Sequence, residues 1–169
     1  MKAGKRSVGA ALYANCGDLI VSFSVDEIAR VLLGQEVSRA PVDRVAKLGS
    51  IPFEGQAIPA WDLGELLSLR KPSAARVWII ASVPVAGARR LFALGCDDSI
   101  AVRQQLLHLP LPPGFFSSRP GAVIGAFATS EIREAGLAPT GFALSASHLL
   151  AGEELQAIAR AADDGKLTW

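Results

Sequence analysis

The chain has 169 residues, half of them hydrophobic, which suits one domain or two small lobes sharing a well-buried core. Its 17 Lys plus Arg nearly cancel its 16 Asp plus Glu, which argues against the concentrated basic surface of a nucleic-acid binder. Arg89-Arg90 and the opening Lys2, Lys5 and Arg6 read as solvated charges. Cys16 and Cys96 lie far apart with no CxxC spacing, so neither a disulfide framework nor a zinc knuckle is indicated, and a reducing cytoplasm fits. The apolar stretch from Val8 to Ala14 is too short for a secretory leader, and no run approaches the roughly 20 apolar residues of a membrane span. The expectation is a cytoplasmic protein with no direct membrane insertion.

In chain order, residues 8 to 24 form two apolar runs parted by Asn15-Cys16-Gly17-Asp18, a pattern that predicts a β-hairpin. Ser24 then caps a predicted helix whose apolar positions Val25, Ile28, Val31 and Leu32 recur at helical spacing, with Asp26 and Glu27 near its positive end and Gly34 as its stop. A second hairpin runs from Arg44 to Ile51, turns at Phe53-Glu54-Gly55-Gln56 and returns over Ala57 to Trp61, with Pro59 demoting the returning strand toward an edge. Asp62 caps a short helical turn after it.

Arg76 to Ala81 and Arg89 to Cys96 read as a third hairpin, joined by a loop that includes Pro84 and Gly87. Ile100 to Leu109 reads as a further strand, and Pro110, Pro112, Pro113 and Gly114 as loop, because proline lacks the N–H that a ladder needs. Gly121 to Thr129 and Thr140 to Ser145 give a last strand pair. Glu153 to Asp164 closes the chain as a helix with Leu155 and Ile158 inward and Gly165 as its stop. Many short strands with glycine turns and few helices predict a mostly β barrel or sandwich.

Chemistry is sparsely provided. His108 and His148 sit among leucines without serine–histidine–acid spacing, so no catalytic residues and no enzyme are expected. Two histidines and two separated cysteines make no metal cluster, Asp97-Asp98 reads as a turn, and phosphate cradles are absent, so no cofactor is expected. Trp61 and Trp78 read as core, while one of Phe115 and Phe116 is a candidate anchor for a partner or for the long loop.

The stretch from Gly49 to Leu69 resembles the CheW-like family of chemotaxis adaptors: Gly49, Ile51, Gly55, Ile58, Pro59, Asp62 and Leu63 fall on its motif without a gap. Val25 to Val31, Leu91 to Val102, Gly121 to Gly125 and Gly141 to Leu150 resemble further family segments in the same order. The resemblance implies two SH3-like five-stranded β-barrel lobes around a shared hydrophobic core, within one domain. The lobes are expected at about 19–90 and at 91–145 plus the N-terminal strand, with a C-terminal helix at 153–164.

It also implies a non-enzymatic adaptor that couples chemoreceptors to a CheA-type histidine kinase. Carried over by position, Arg30, Val37 and Glu54 would lie on or near the kinase-facing surface, and Ile100 and Val102 near the groove for the receptor cytoplasmic domain. Arg30 stands where the family has Glu and Glu54 where it has Arg, an exchange that would preserve a salt bridge if the two side chains meet and would alter the charge shown to a partner. An adaptor of a type IV pilus-type chemosensory pathway is the alternative within the class. A small β-barrel nucleic-acid-binding module is the alternative outside it, but such a module needs exposed aromatics interleaved with Lys and Arg, which this chain lacks.

Overall fold

The computed structural model describes residues 9–17, 19–33, 49–68, 77–104, 109–111, 121–128 and 140–164. The first two apolar runs form the expected hairpin, β1 (Ala10–Cys16) and β2 (Leu19–Ser24). The next segment departs from expectation. A single 3-10 turn, Val25–Glu27, leads into β3 (Ile28–Leu33), where helical spacing predicts a helix. Val31 packs against the core between the sheets and Leu32 against the core on the other side, the alternation of a strand. An irregularity between Ile28 and Arg30 shifts the register and returns Ile28 to the face of Val31, which is why the apolar spacing of three mimics a helix. Pairing with the edge of a neighbouring strand outweighs that local signal.

The second hairpin is β4 (Ser50–Phe53) and β5 (Gln56–Asp62), closed by Glu54 at φ 49° and Gly55 at φ 75°. Two successive positive φ values define a type I′ turn, whose twist matches that of the strands and whose second position Gly55 occupies without a Cβ penalty. The predicted start of this hairpin before residue 49 lies outside the described residues. Asp62 caps α1 (Leu63–Leu66), accepting the Glu65 N–H at 2.9 Å. The third hairpin is longer and tighter than expected: β6 (Val77–Val85) and β7 (Ala88–Cys96) join through Ala86-Gly87 alone, and Pro84 lies within β6 opposite Arg89.

Next come β8 (Asp98–Gln104), the two-residue β9 (Leu109–Pro110), β10 (Val123–Ala128) and β11 (Thr140–Leu144). Pro110, expected in a loop, pairs with Gly125 in a sheet-edge strand, the position that tolerates a missing N–H. Residues 105–108 and 112–120, which hold His108, Phe115 and Phe116, lie outside the described residues. Two helices follow, α2 (Ala146–Leu149) and α3 (Gly152–Asp164), the second within one residue of its expected start.

The strands make two sheets, ordered β8-β1-β2-β11-β10-β9 and β3-β6-β7-β5-β4. One sheet thus holds six strands where five are expected. Membership also divides the chain at other points than 90/91: β2 belongs with β1 and β11, while all of β7 belongs with β6 and β5. β5 lies inside its sheet rather than at an edge. Its Ala60 N–H donates to Gly49 O on the β4 side, so the neighbouring Pro59 nitrogen points toward β7, whose ladder with β5 begins only at Ala60. The missing donor therefore costs no ladder bond.

Side-chain alternation sorts the core into layers. Leu12, Ala14, Val21, Phe23, Ile79, Phe92 and Leu94 fill the layer between the sheets, joined by Ile158 of α3 and Leu149 of α2. Ile51, Phe53, Ile58, Trp78, Ile80 and Ala93 pack on the outer face of the five-stranded sheet. Ala11, Tyr13, Ile20, Phe127 and Ala143 do so on the outer face of the six-stranded sheet, with Tyr13 edge-on to Phe127. Each sheet is therefore apolar on both faces, which explains why Val77 to Ala81 reads as an unbroken apolar run. Trp61 and Trp78 are both core residues, as expected.

Candidate partner-binding surfaces

With the interior committed to packing, function falls to what the strands present outward. Arg30 is exposed on β3, and its guanidinium carbon lies 5.8 Å from the centroid of the Phe53 ring on β4. β3 and β4 are the two outer strands of the five-stranded sheet, so this cation–π contact links side chains from its two edges. Glu54 is exposed in the turn immediately after Phe53. The fold thus brings Arg30 and Glu54 to one surface around the Phe53 ring, while among the described residues they form no ion pair with each other. Leu33, at the end of β3 three residues after Arg30, is an exposed leucine that sequence reasoning does not single out. Val37 lies outside the described residues.

The second surface is a rim of the layer between the sheets. Val102 on β8 pairs with Leu12 on β1, and paired residues project to the same face. Leu12 is 4% exposed inside the shared core, yet Val102 is 62% exposed, because β8 is the outermost strand and the facing sheet does not extend over it. Ile100 falls at the register irregularity between the Tyr13–Ala101 and Ala14–Ser99 pairs. At the opposite edge, Leu109 pairs with Ala126 and is 71% exposed, and Ile124 stands out where the β10–β11 register shifts. Neither was legible, since a leucine in an apolar run carries no sign of being at a sheet edge.

One cluster has the residue types of a hydrolase and a different wiring. Glu27 accepts from Ala146 N at 2.9 Å, Ser147 N at 3.3 Å, Ser147 Oγ at 3.1 Å and Ser145 Oγ at 3.5 Å. Ser145 Oγ also lies 2.9 Å from His148 Nδ1. The carboxylate stands on the serine rather than behind the imidazole, where an acid that orients a catalytic base would be. Its work is capping: Glu27, expected to serve its own helix, supplies the first amides of α2 from more than a hundred residues away. Among the described residues no group of three or more His, Cys, Asp or Glu is placed to hold a metal ion. No helix among them is long and apolar enough to cross a membrane.

No protein-family model and no curated protein sequence matches the chain. Its likeness lies in the fold: the crystal structure of the scaffolding protein TtCheW from Thermoanaerobacter tengcongensis superposes with a TM-score of 0.62 at 16% identity, over 83% of this chain and 91% of that one. The fold is like that of this CheW protein, mostly β, with two sheets and a few short helices.

Proposed function

We propose that this chain is a non-enzymatic adaptor of the chemosensory type, coupling chemoreceptors to a CheA-type histidine kinase in the bacterial cytoplasm. The observation that carries the reading is the pairing of a CheW-type fold with two separate exposed patches. In this reading each sheet curls into an SH3-like barrel. The surface holding Arg30 and Glu54 receives the regulatory domain of the kinase, with Val37 a further contact carried over by its place in the family motif. The rim carrying Val102, with Ile100 beside it in β8, receives the receptor's cytoplasmic tip.

Physical argument supports this division. An exposed cation and an exposed carboxylate around a sheet edge give charge complementarity, which selects partners and speeds encounter more than it adds affinity. An exposed valine at the margin of a packed layer offers a small apolar surface that a partner can take out of water.

The test is binding of the purified chain to a kinase regulatory domain and to a receptor cytoplasmic domain from the same host, by calorimetry. Arg30→Glu is expected to weaken the kinase arm and Val102→Asp the receptor arm, each about tenfold and without crossing over, a loss of about 1.4 kcal/mol. Failure of the unmodified chain to bind either partner overturns the proposal. Recovery of a pilus-associated receptor in place of a flagellar one keeps the adaptor role and reassigns the pathway.

A further inference from the structure

We infer that Cys16 and Cys96 form a redox pair that closes into an intramolecular disulfide, stapling the corner where the two sheets meet. Seventy-nine residues, 17 to 95, separate the two cysteines, and nothing in their spacing connects them. The fold does. Cys16 is the last residue of β1 and Cys96 the last of β7, strands of different sheets. Alternation turns both toward the layer between the sheets, Cys16 in line with Leu12 and Ala14, and Cys96 in line with Phe92 and Leu94. Both are thiols, 1% and 0% exposed.

Facing sheets stand about 10 Å apart, beyond the roughly 7 Å between Cα atoms that a disulfide tolerates. The corner removes that objection. Asp97 alone carries the chain from β7 to β8, so here the two sheets converge. Its N–H donates to Asn15 O at 3.1 Å, and its carboxylate accepts the Gly17 N–H at 2.5 Å. Asn15 and Gly17 flank Cys16, while Asp97 follows Cys96. The path from one cysteine Cα to the other is therefore a few covalent bonds and one hydrogen bond, which puts the two about 5–7 Å apart. Two inward thiols at that separation in one apolar layer meet the geometric demand of a disulfide.

Glutathione disulfide is an oxidant of the right class. The thiolate of one cysteine attacks it, forming a mixed disulfide and expelling one glutathione thiolate. The other cysteine, its proton given to solvent, attacks the protein-side sulfur, so that the cysteine–cysteine bond forms and the second glutathione leaves. Two cysteine thiols and one glutathione disulfide become one protein disulfide and two glutathione thiols. Burial makes local opening of the corner the gate to this exchange. The closed bond ties β1 to the end of β7, two residues before the start of β8, the strand that carries Val102.

The full chain is refolded through buffers of graded reduced-to-oxidised glutathione, quenched in acid, alkylated and weighed intact. The expected product is a monomer about 2 Da lighter than the dithiol form, with no alkylation. Its melting temperature is expected to be about 5–15 °C above that of the reduced protein. Cys16→Ala and Cys96→Ala should each abolish the mass loss and the melting shift. Incubating native protein in the same buffers just below its melting temperature gives the result without unfolding. Two alkylated thiols or a glutathione adduct at the most oxidising ratio overturns the inference, as does a disulfide-linked dimer or an oxidised monomer that melts no higher than the reduced one.

Discussion

The five-stranded sheet and the six-stranded sheet are built from the same kinds of strand, but one is assembled from one continuous stretch of chain and the other from its two ends. β3 to β7 follow one another from Ile28 to Cys96, and two of their links are two-residue turns. The other sheet takes β1 and β2 from before that stretch and β8 to β11 from after it, closing through the parallel pairing of β2 with β11. Locality makes the first sheet a platform with tightly specified register. The second depends on contacts across most of the chain, which order late and cost more loop entropy. The exposed aliphatics Val102, Leu109 and Ile124 belong to the second sheet, which supplies one proposed binding rim, while the first sheet supplies the charged patch with the exposed Leu33 at the end of β3.

Damaging one packed position in each sheet tests whether the two halves differ in stability. Trp78 is fully buried on the outer face of the five-stranded sheet, and Trp78→Ala is expected to cost about 4 kcal/mol. Gly141 on β11 faces Phe127, and a Cβ there would fall 2.3 Å from the ring Cε2 and 3.0 Å from Ile20 O. Gly141→Ala should therefore cost about 2–3 kcal/mol by forcing the ring out of its layer. Urea denaturation read by amide exchange separates the halves. Loss of protection confined to β1, β2, β10 and β11 in Gly141→Ala, with β6 and β7 still protected, is the outcome expected of a locally built platform. Uniform loss in both variants would show that the sheets unfold as one unit and that the distinction has no energetic meaning.

The same contrast explains what could be read in the sequence. Hairpins declare themselves locally, so Glu54-Gly55, the cap at Asp62 and the β1–β2 turn were all legible from adjacent residues. The C-terminal helix was legible from its period. What lay outside reach was set by partners distant in the chain. β3 is hidden in the sequence because Val25, Ile28, Val31 and Leu32 satisfy a helical spacing, and only β6 at its side decides for a strand. Pro59 points to an edge strand because proline usually sits there, whereas the β7 ladder starts one residue later. The Arg30–Glu54 pair was legible as two charges of inverted sign, but the ring that Arg30 covers, Phe53, was not.

A smaller effect sharpens the role of the join between the halves. Glu27 sits on the turn that links β2 of one sheet to β3 of the other, and its carboxylate holds the first residues of α2. Glu27→Ala leaves the Ala146 and Ser147 amides without that acceptor and is expected to lower stability by about 1–2 kcal/mol. Glu27→Gln keeps one acceptor oxygen and should recover about half. Equal melting temperatures for all three proteins would show that the contact orders the link without stabilising it.

The smallest expected effect is a gain, and it lies wholly within the local sheet. Ala86 holds φ 49° at the first position of the β6–β7 turn, with Gly87 at φ 80° after it. The pair is a type I′ turn in which the alanine Cβ sits against the left-handed backbone, whereas Asn accepts that conformation readily. Ala86 is exposed, so a substitution there disturbs no packing. Ala86→Asn is expected to stabilise the protein by about 0.5–1 kcal/mol, read as a rise in the urea midpoint at constant slope. Because the β6–β7 hairpin is the centre of the five-stranded sheet, the gain should appear as slower exchange in β6 and β7, with β2 and β11 unchanged. A gain shared equally by both sheets would instead argue that the platform and the sheet built from the chain ends form a single cooperative unit.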